Sequence, residues 1–195
     1  THLDPKANEL HAEINSLKSL IKGKRIYRRK YNHESGTFDN SKKIESTNLI
    51  FYEGLHPFFL KTQRDVFDLK IFLNPTKALN DHWKINRDIV ERGKKKSEVI
   101  KQIKTREMDS DTYIASQSKY ADLIIEELPR NQISMDGPYD YKVTFSNSLS
   151  INALIEFFSK FDEITLKHEF LDNDMQELII SGEPSYEMIY TFIDE

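Results

Sequence analysis

The sequence predicts an α/β layer with parallel strands, continued by a small α+β unit. Three observations point there. Two short runs, Leu69-Lys70-Ile71-Phe72-Leu73 and Leu123-Ile124-Ile125, are rich in β-formers; a segment between them opens at Asn74-Pro75 and closes at Gly93; and the character of the chain changes after Leu128-Pro129. Strand, helix, strand at this spacing is the pattern of a parallel pair joined by a crossover. In such layers ligands bind beyond the carboxyl ends of the strands.

In chain order, Asp4-Pro5 followed by Ala7, Leu10, Ile14, Leu17 and Ile21, with Gly23 behind, predicts a helix over residues 5–22. It carries an N-cap, a proline at the first helical position, apolar side chains at helical spacing and a glycine stop. The charged stretch "RIYRRKYNHESGTFDNSKKIES" reads as an exposed loop or hairpin. Leu49-Ile50-Phe51-Tyr52 reads as a strand covered on both faces, being too apolar for strict alternation. Asn74-Pro75 to Gly93 predicts one helix, with Lys94-Lys95-Lys96 as its exposed tail. Beyond residue 129, "YKVTFSN", "SINALIEFFSKF", "EITLKHEF", "MQELIIS" and "SYEMIYTFI" read as strand, helix, strand, strand, helix. The expected division is therefore 1–129 and 130–195. The acid cluster Glu169, Asp172 and Asp174 could hold a cation, and reads first as a solvated β-turn.

Composition narrows the class. At 195 residues the chain can bury a real core. It has no cysteine, so neither a disulfide framework nor a thiolate metal site is available, and a cytoplasmic location is the default expectation. Twenty-eight Lys and Arg against 32 Asp and Glu give a net charge of −4. That balance predicts no nucleic-acid or membrane partner. The sequence contains no nucleophile elbow, dinucleotide fingerprint or Gly-rich phosphate loop.

Two constellations can carry chemistry. Glu53, in "FYEGLHPFF", follows an apolar run that reads as a strand, with Gly54 behind it to allow close approach. Such a carboxylate either holds Mg²⁺, directly or through water, or is a solvated turn residue. Lys84, Arg87 and Arg92 lie on one side of the predicted helix and suit a phosphate clamp, Arg as a planar fork and Lys as a point charge. The competing reading pairs these bases with Asp88 and Glu91 on a solvated face. Among six scattered histidines, His33 and His56 stand in polar or turn contexts, and no pair has the spacing of a zinc helix.

Seven separated blocks, "LDPKAN", "LKSLIKGK", "YNHESGTFD", "FYEGLHPFF", "DLKIFLNP", "KINRDIVERG" and "YIASQSKYADLII", come in an order and spacing that resemble the phosphoribulokinase and uridine kinase family. "YNHESG" and "EGLHP" lean toward the phosphoribulokinase branch. The resemblance covers about residues 3–128. It implies a P-loop kinase core, ATP and Mg²⁺ as cofactors, and a sugar phosphate or nucleoside as the small-molecule acceptor. It makes Glu53 the acidic catalytic and metal-side residue at the end of the Walker B strand, and makes Lys84, Arg87 and Arg92 phosphate-binding bases. Tyr31 and His33, with His56, fall on the acceptor pocket, and Gln117, Lys119 and Tyr120 on the nucleotide side. The family's phosphate loop and early catalytic Asp precede the first matching block, so the expectation is the later part of a kinase, truncated at its N-terminus and inactive as 195 residues alone. A uridine or nucleoside kinase and a non-catalytic kinase-like module are the alternatives. For the last 60 or so residues the expected roles are homodimer formation, regulation or covering of an edge strand.

Overall fold

The computed structural model describes residues 1–32, 35–131, 135–172, 174–183 and 185. Helix α1 spans Leu10–Ile21; the strands β1 (Ile26–Arg28), β2 (Tyr31–Asn32), β3 (Thr37–Phe38) and β4 (Lys42–Ile44) follow, then the short helix α2 (Lys61–Arg64) and β5 (Ile71–Leu73). Helices α3 (Lys77–Val90) and α4 (Lys96–Asp109) lead to β6 (Leu123–Pro129) and β7 (Tyr139–Ser146), then to α5 (Asn152–Phe158), β8 (Thr165–Phe170) and β9 (Met175–Ser181).

Among the described residues the main sheet has five strands in the order β5-β6-β7-β9-β8. The predicted parallel pair forms, with Ile71 opposite Leu123 and Leu73 opposite Ile125; the other three pairings are antiparallel. The sheet is thus mixed, and it runs through residues 129–130 because β6 pairs along its whole length with β7. Its core gathers Phe145, Leu178 and Gln176 from the strands, with Phe157 of α5 and Ile164 also buried. The charged stretch forms two small antiparallel ladders, β1 with β4 and β2 with β3.

Several expectations are corrected. Asp4 caps only a 3₁₀ turn over Pro5–Ala7, its Oδ1 accepting from Lys6 N–H at 2.9 Å; the α-helix starts at Leu10 and buries Leu10, Ile14, Leu17 and Leu20, leaving Ile21 exposed. Helix α3 is capped by Thr76, whose Oγ1 accepts from Leu79 N–H at 3.3 Å, not by Asn74. Asn74 instead ties to β6 through Ile125 O at 2.7 Å and Glu126 Oε1 at 3.1 Å. The three lysines are no tail: a second helix, α4, begins at Lys96.

The largest difference concerns Leu49–Tyr52, which forms no strand. Leu49 is 69% and Phe51 88% exposed, and β5 is an edge whose Ile71 and Leu73 also face solvent. Propensity supplies apolar β-formers, but a strand exists only where a neighbour completes its hydrogen bonds. The apolar helix expected at the C-terminus, "SYEMIYTFI", lies outside the described residues apart from Ser185.

Candidate active site

Helix α3 builds the site around one carboxylate. Asp88 is fully buried. Lys84 Nζ reaches its Oδ2 at 3.1 Å and Arg92 Nη1 its Oδ1 at 3.1 Å, one turn before and one turn after it. Arg87 donates from Nε and Nη2 to Oδ1 at 3.2 and 3.1 Å, and Lys94 Nζ stands 3.3 Å from Oδ2. Gly93 makes the last contact possible. Its φ of +61° lies in the left-handed region that glycine enters freely, and it turns the chain so that Lys94 N–H donates to Asp88 O at 3.0 Å. Burial pushes the Asp88 carboxyl up, but hydrogen bonds from Lys84 and Arg87, the Lys84 charge and the Lys94 hydrogen bond outweigh it and hold the group well below the usual carboxylate range.

These bases line a cavity of about 560 Å³ together with Tyr31, Leu55, Arg106 and His2. Four cations on one buried carboxylate, with Arg106 as a fifth on the cavity lining, leave a strong positive excess. The Arg106 guanidinium, on α4, makes no hydrogen bond or ion pair among the described residues, so its charge is unspent. His2 registers the field: burial, followed by the charges of Arg106, Lys84, the terminal amine and Lys94, pushes its imidazole below its ordinary value. Such a cavity favours an anion with several oxygens, since each Arg fork can meet two of them.

Lys84, Arg87, Arg92 and Tyr31 are therefore brought together on one wall, Tyr31 arriving from β2 with its ring edge-on to Phe38. His33 lies outside the described residues. Glu53 is exposed in the coil after Tyr52, with no hydrogen bond or ion pair among the described residues, and only its neighbour Leu55 touches the cavity. Gly54 has open space where a Cβ would stand and no positive φ, so close approach does not require it in this structure.

His56 is not on the cavity wall. It is 4% exposed, edge-on to Phe59, with both ring nitrogens unpartnered. Burial pushes its imidazole below the ordinary value, against the opposing charges of Glu13 and Asp4. Gln117 is buried too, and it works on the same loop. Its Oε1 accepts from Phe58 N–H at 2.9 Å, while its Nε2 donates to Leu55 O at 2.9 Å and to Tyr113 O at 2.6 Å. Arg64 lies 3.8 Å over the ring of Tyr120 and donates to Phe58 O and Phe59 O; Lys119 stands 5.1 Å over the same ring. The three residues expected on the nucleotide side thus sit around the loop that follows Glu53, and Gln117 holds it directly.

No group of three His, Asp or Glu among the described residues could hold a metal ion. A single exposed carboxylate still fits Mg²⁺, which takes one or two protein carboxylates and fills its sphere with water and substrate phosphates. Sequence reasoning missed Lys94 and Arg106, and saw Asp88 only as a neighbour of the bases. The spacing of Lys84, Asp88 and Arg92 signalled part of this hub, but Lys94 depends on the turn at Gly93.

An α/β fold with a cation-lined cavity along α3 is chemically suited to an anionic ligand. A family model described as "Phosphoribulokinase / Uridine kinase family" matches residues 1–134, and the chain belongs to that family. It is 35% identical over 133 residues to a phosphoribulokinase of Synechocystis sp., covering 68% of this chain and 40% of the relative, and 39% identical over 140 residues to the chloroplastic phosphoribulokinase of Chlamydomonas reinhardtii, covering 71% and 37%. A uridine kinase of Ligilactobacillus salivarius is 31% identical over 134 residues, covering 68% and 63%. The chain thus spans less than half the length of these phosphoribulokinases. In fold it resembles the phosphoribulokinase from Rhodobacter spheroides, with a TM-score of 0.70 at 20% identity, covering 93% of this chain and 68% of the other. No helix among the described residues is long and apolar enough to cross a membrane.

Proposed function

We propose that this chain carries the acceptor-phosphate side of a kinase that moves the γ-phosphoryl group of ATP to a hydroxyl of a sugar phosphate, with ribulose 5-phosphate as the acceptor. The observation that supports this reading most is the cavity lined by Lys84, Arg87, Arg92 and Lys94, which gather about Asp88, and by Arg106. An acceptor that already bears a phosphate needs bases at its far end as well as at the transferring group, whereas a nucleoside does not. Phosphoryl transfer asks the protein mainly to position reactants and cancel charge. Arg87 and Arg106 grip the acceptor phosphate. Lys84 and Arg92 face the negative oxygens of the transferring group, held in place by Asp88, and Tyr31 borders the sugar. Glu53 would hold Mg²⁺, which would supply charge cancellation on the donor phosphates.

The 195 residues include no Gly-rich phosphate loop, so alone they give no turnover. The test is a substrate panel. The complete protein phosphorylates ribulose 5-phosphate in preference to uridine, and the 195-residue chain phosphorylates neither. Preference for uridine supports the nucleoside kinase instead, and turnover by the isolated chain contradicts the division of labour.

A further inference from the structure

Helix α3 has a second occupied side. At about 100° per residue, His82 points away from the side that carries Lys84 and Asp88, and Trp83 lies at the border of that side, one turn before Arg87. Both meet the segment leading into β7. Trp83 Nε1–H donates to Tyr139 Oη at 3.2 Å, and the two rings are edge-on at 5.8 Å. Tyr139 Oη in turn donates to Met135 O at 2.6 Å, fixing the segment on itself. His82 Nε2–H donates to Asp136 Oδ1 at 2.6 Å. At its base, Arg130 N–H donates to Pro138 O at 3.1 Å and Arg130 Nε to Asp140 Oδ1 at 2.5 Å, anchoring the segment to the β6–β7 ladder. Asp136 is 74% exposed, so its tie is screened by solvent, and the part-buried Trp83–Tyr139 pair is the stronger of the two.

We propose that residues 135–139 are a positioning strap, through which the sheet unit sets the placement of α3 and hence the anion affinity of the adjacent cavity. Trp83 and Tyr139 are positioning residues: they touch no ligand and act through Lys84, Arg87 and Asp88. A helix shifted by a fraction of an ångström moves all three groups together, because they share its backbone. This rests on the cationic cavity's being an anion site, and it gives the C-terminal unit a role in that site.

Trp83 is the sole tryptophan of the chain, so its fluorescence reports on the strap directly. Inorganic pyrophosphate titrated into the 195-residue chain shifts Trp83 emission in the native protein. Tyr139→Phe keeps the ring but removes the hydroxyl that accepts from Trp83 and donates to Met135, and it weakens pyrophosphate binding about fivefold, the scale of one lost hydrogen bond transmitted to a neighbouring site. Asp136→Asn weakens it less. Phe157→Ala, which loosens the core of the same unit without touching the strap, separates positioning from general stability: it lowers the melting temperature and leaves pyrophosphate affinity near native. Native-like affinity in Tyr139→Phe, or an equal loss in Phe157→Ala, overturns the strap alone. No pyrophosphate binding by the native chain overturns the anion site and the strap together.

Discussion

Lys84 and Asp88 stand one turn apart on α3 with Nζ and Oδ2 separated by 3.1 Å, the carboxylate shut off from solvent and the ammonium partly open to the cavity. The acid is committed to organising bases, and the bases keep capacity for an incoming anion. Asp88→Ala removes the common partner of four cations. Because those cations remain partly solvated, the loss falls at the low end for a broken buried pair, about 3 kcal/mol in a urea titration. Sulfate at fixed ionic strength then raises the melting temperature of Asp88→Ala more than that of the native chain, since the anion replaces the missing carboxylate. Equal shifts contradict the hub.

His56 sets an acid limit. Its folded value lies below the ordinary 6.5, so the unfolded chain takes up the proton first. Its contribution to stability is full above pH 6.5 and is lost as pH falls beneath it, by at most about 1.4 kcal/mol per pH unit. His56→Phe flattens that slope. Asp88 behaves differently: its folded value lies below the ordinary 3.8, so its contribution holds above pH 3.8 and is lost only in stronger acid. Urea titrations between about pH 7.5 and 5 therefore leave Asp88 out, and the difference between the native chain and His56→Phe separates His56 from His2, whose value is also lowered.

Gln117 pins the loop behind Glu53 with two hydrogen bonds, from Phe58 N–H and to Leu55 O, and donates a third to Tyr113 O in its own segment. Gln117→Leu strands the buried Phe58 N–H and the Leu55 carbonyl, and costs about 3 kcal/mol of stability. Hydrogen exchange at Phe58 quickens in the variant more than at Val143, in the middle of the sheet. Uniform quickening would mean that the side chain merely fills space.

The roles proposed for Glu53 and Arg87, one on the metal side and one on the acceptor, predict different kinetic losses in the working kinase. Glu53→Ala, which removes an exposed side chain without a partner among the described residues, leaves the melting temperature unchanged and lowers kcat by about 10²- to 10³-fold. Arg87→Ala chiefly raises KM for the phosphorylated acceptor, by about tenfold, with a smaller change in kcat. Small, equal effects on both parameters contradict the two roles.

What the sequence made legible was local. Proline, glycine and apolar spacing mark α1 and α3 because capping and amphipathicity are settled within a few residues. The β5–β6 pair was legible from two apolar runs with a crossover between them. Leu49–Tyr52 misled because a strand is a property of a pair, and composition does not say whether the partner is present. Helix α4 was hidden by a lysine run at its start and by a sparse apolar face of which only Val99 is buried. At the site, Lys84, Arg87 and Arg92 were visible as helix neighbours. Lys94 and Arg106 were not, since one depends on a left-handed turn and the other on the packing of α4 beside α3. Gln117 was visible as a polar residue in a matching block, but its grip on Leu55 and Phe58 joins segments about 60 residues apart.

The most direct test is calorimetric titration of the 195-residue chain with ribulose 5-phosphate and with uridine across a salt series. The account predicts binding of ribulose 5-phosphate that weakens with salt and weakens further in Arg87→Ala, and no comparable binding of uridine. Uridine binding as tightly as ribulose 5-phosphate, or sugar-phosphate binding indifferent to salt and to Arg87, would contradict it.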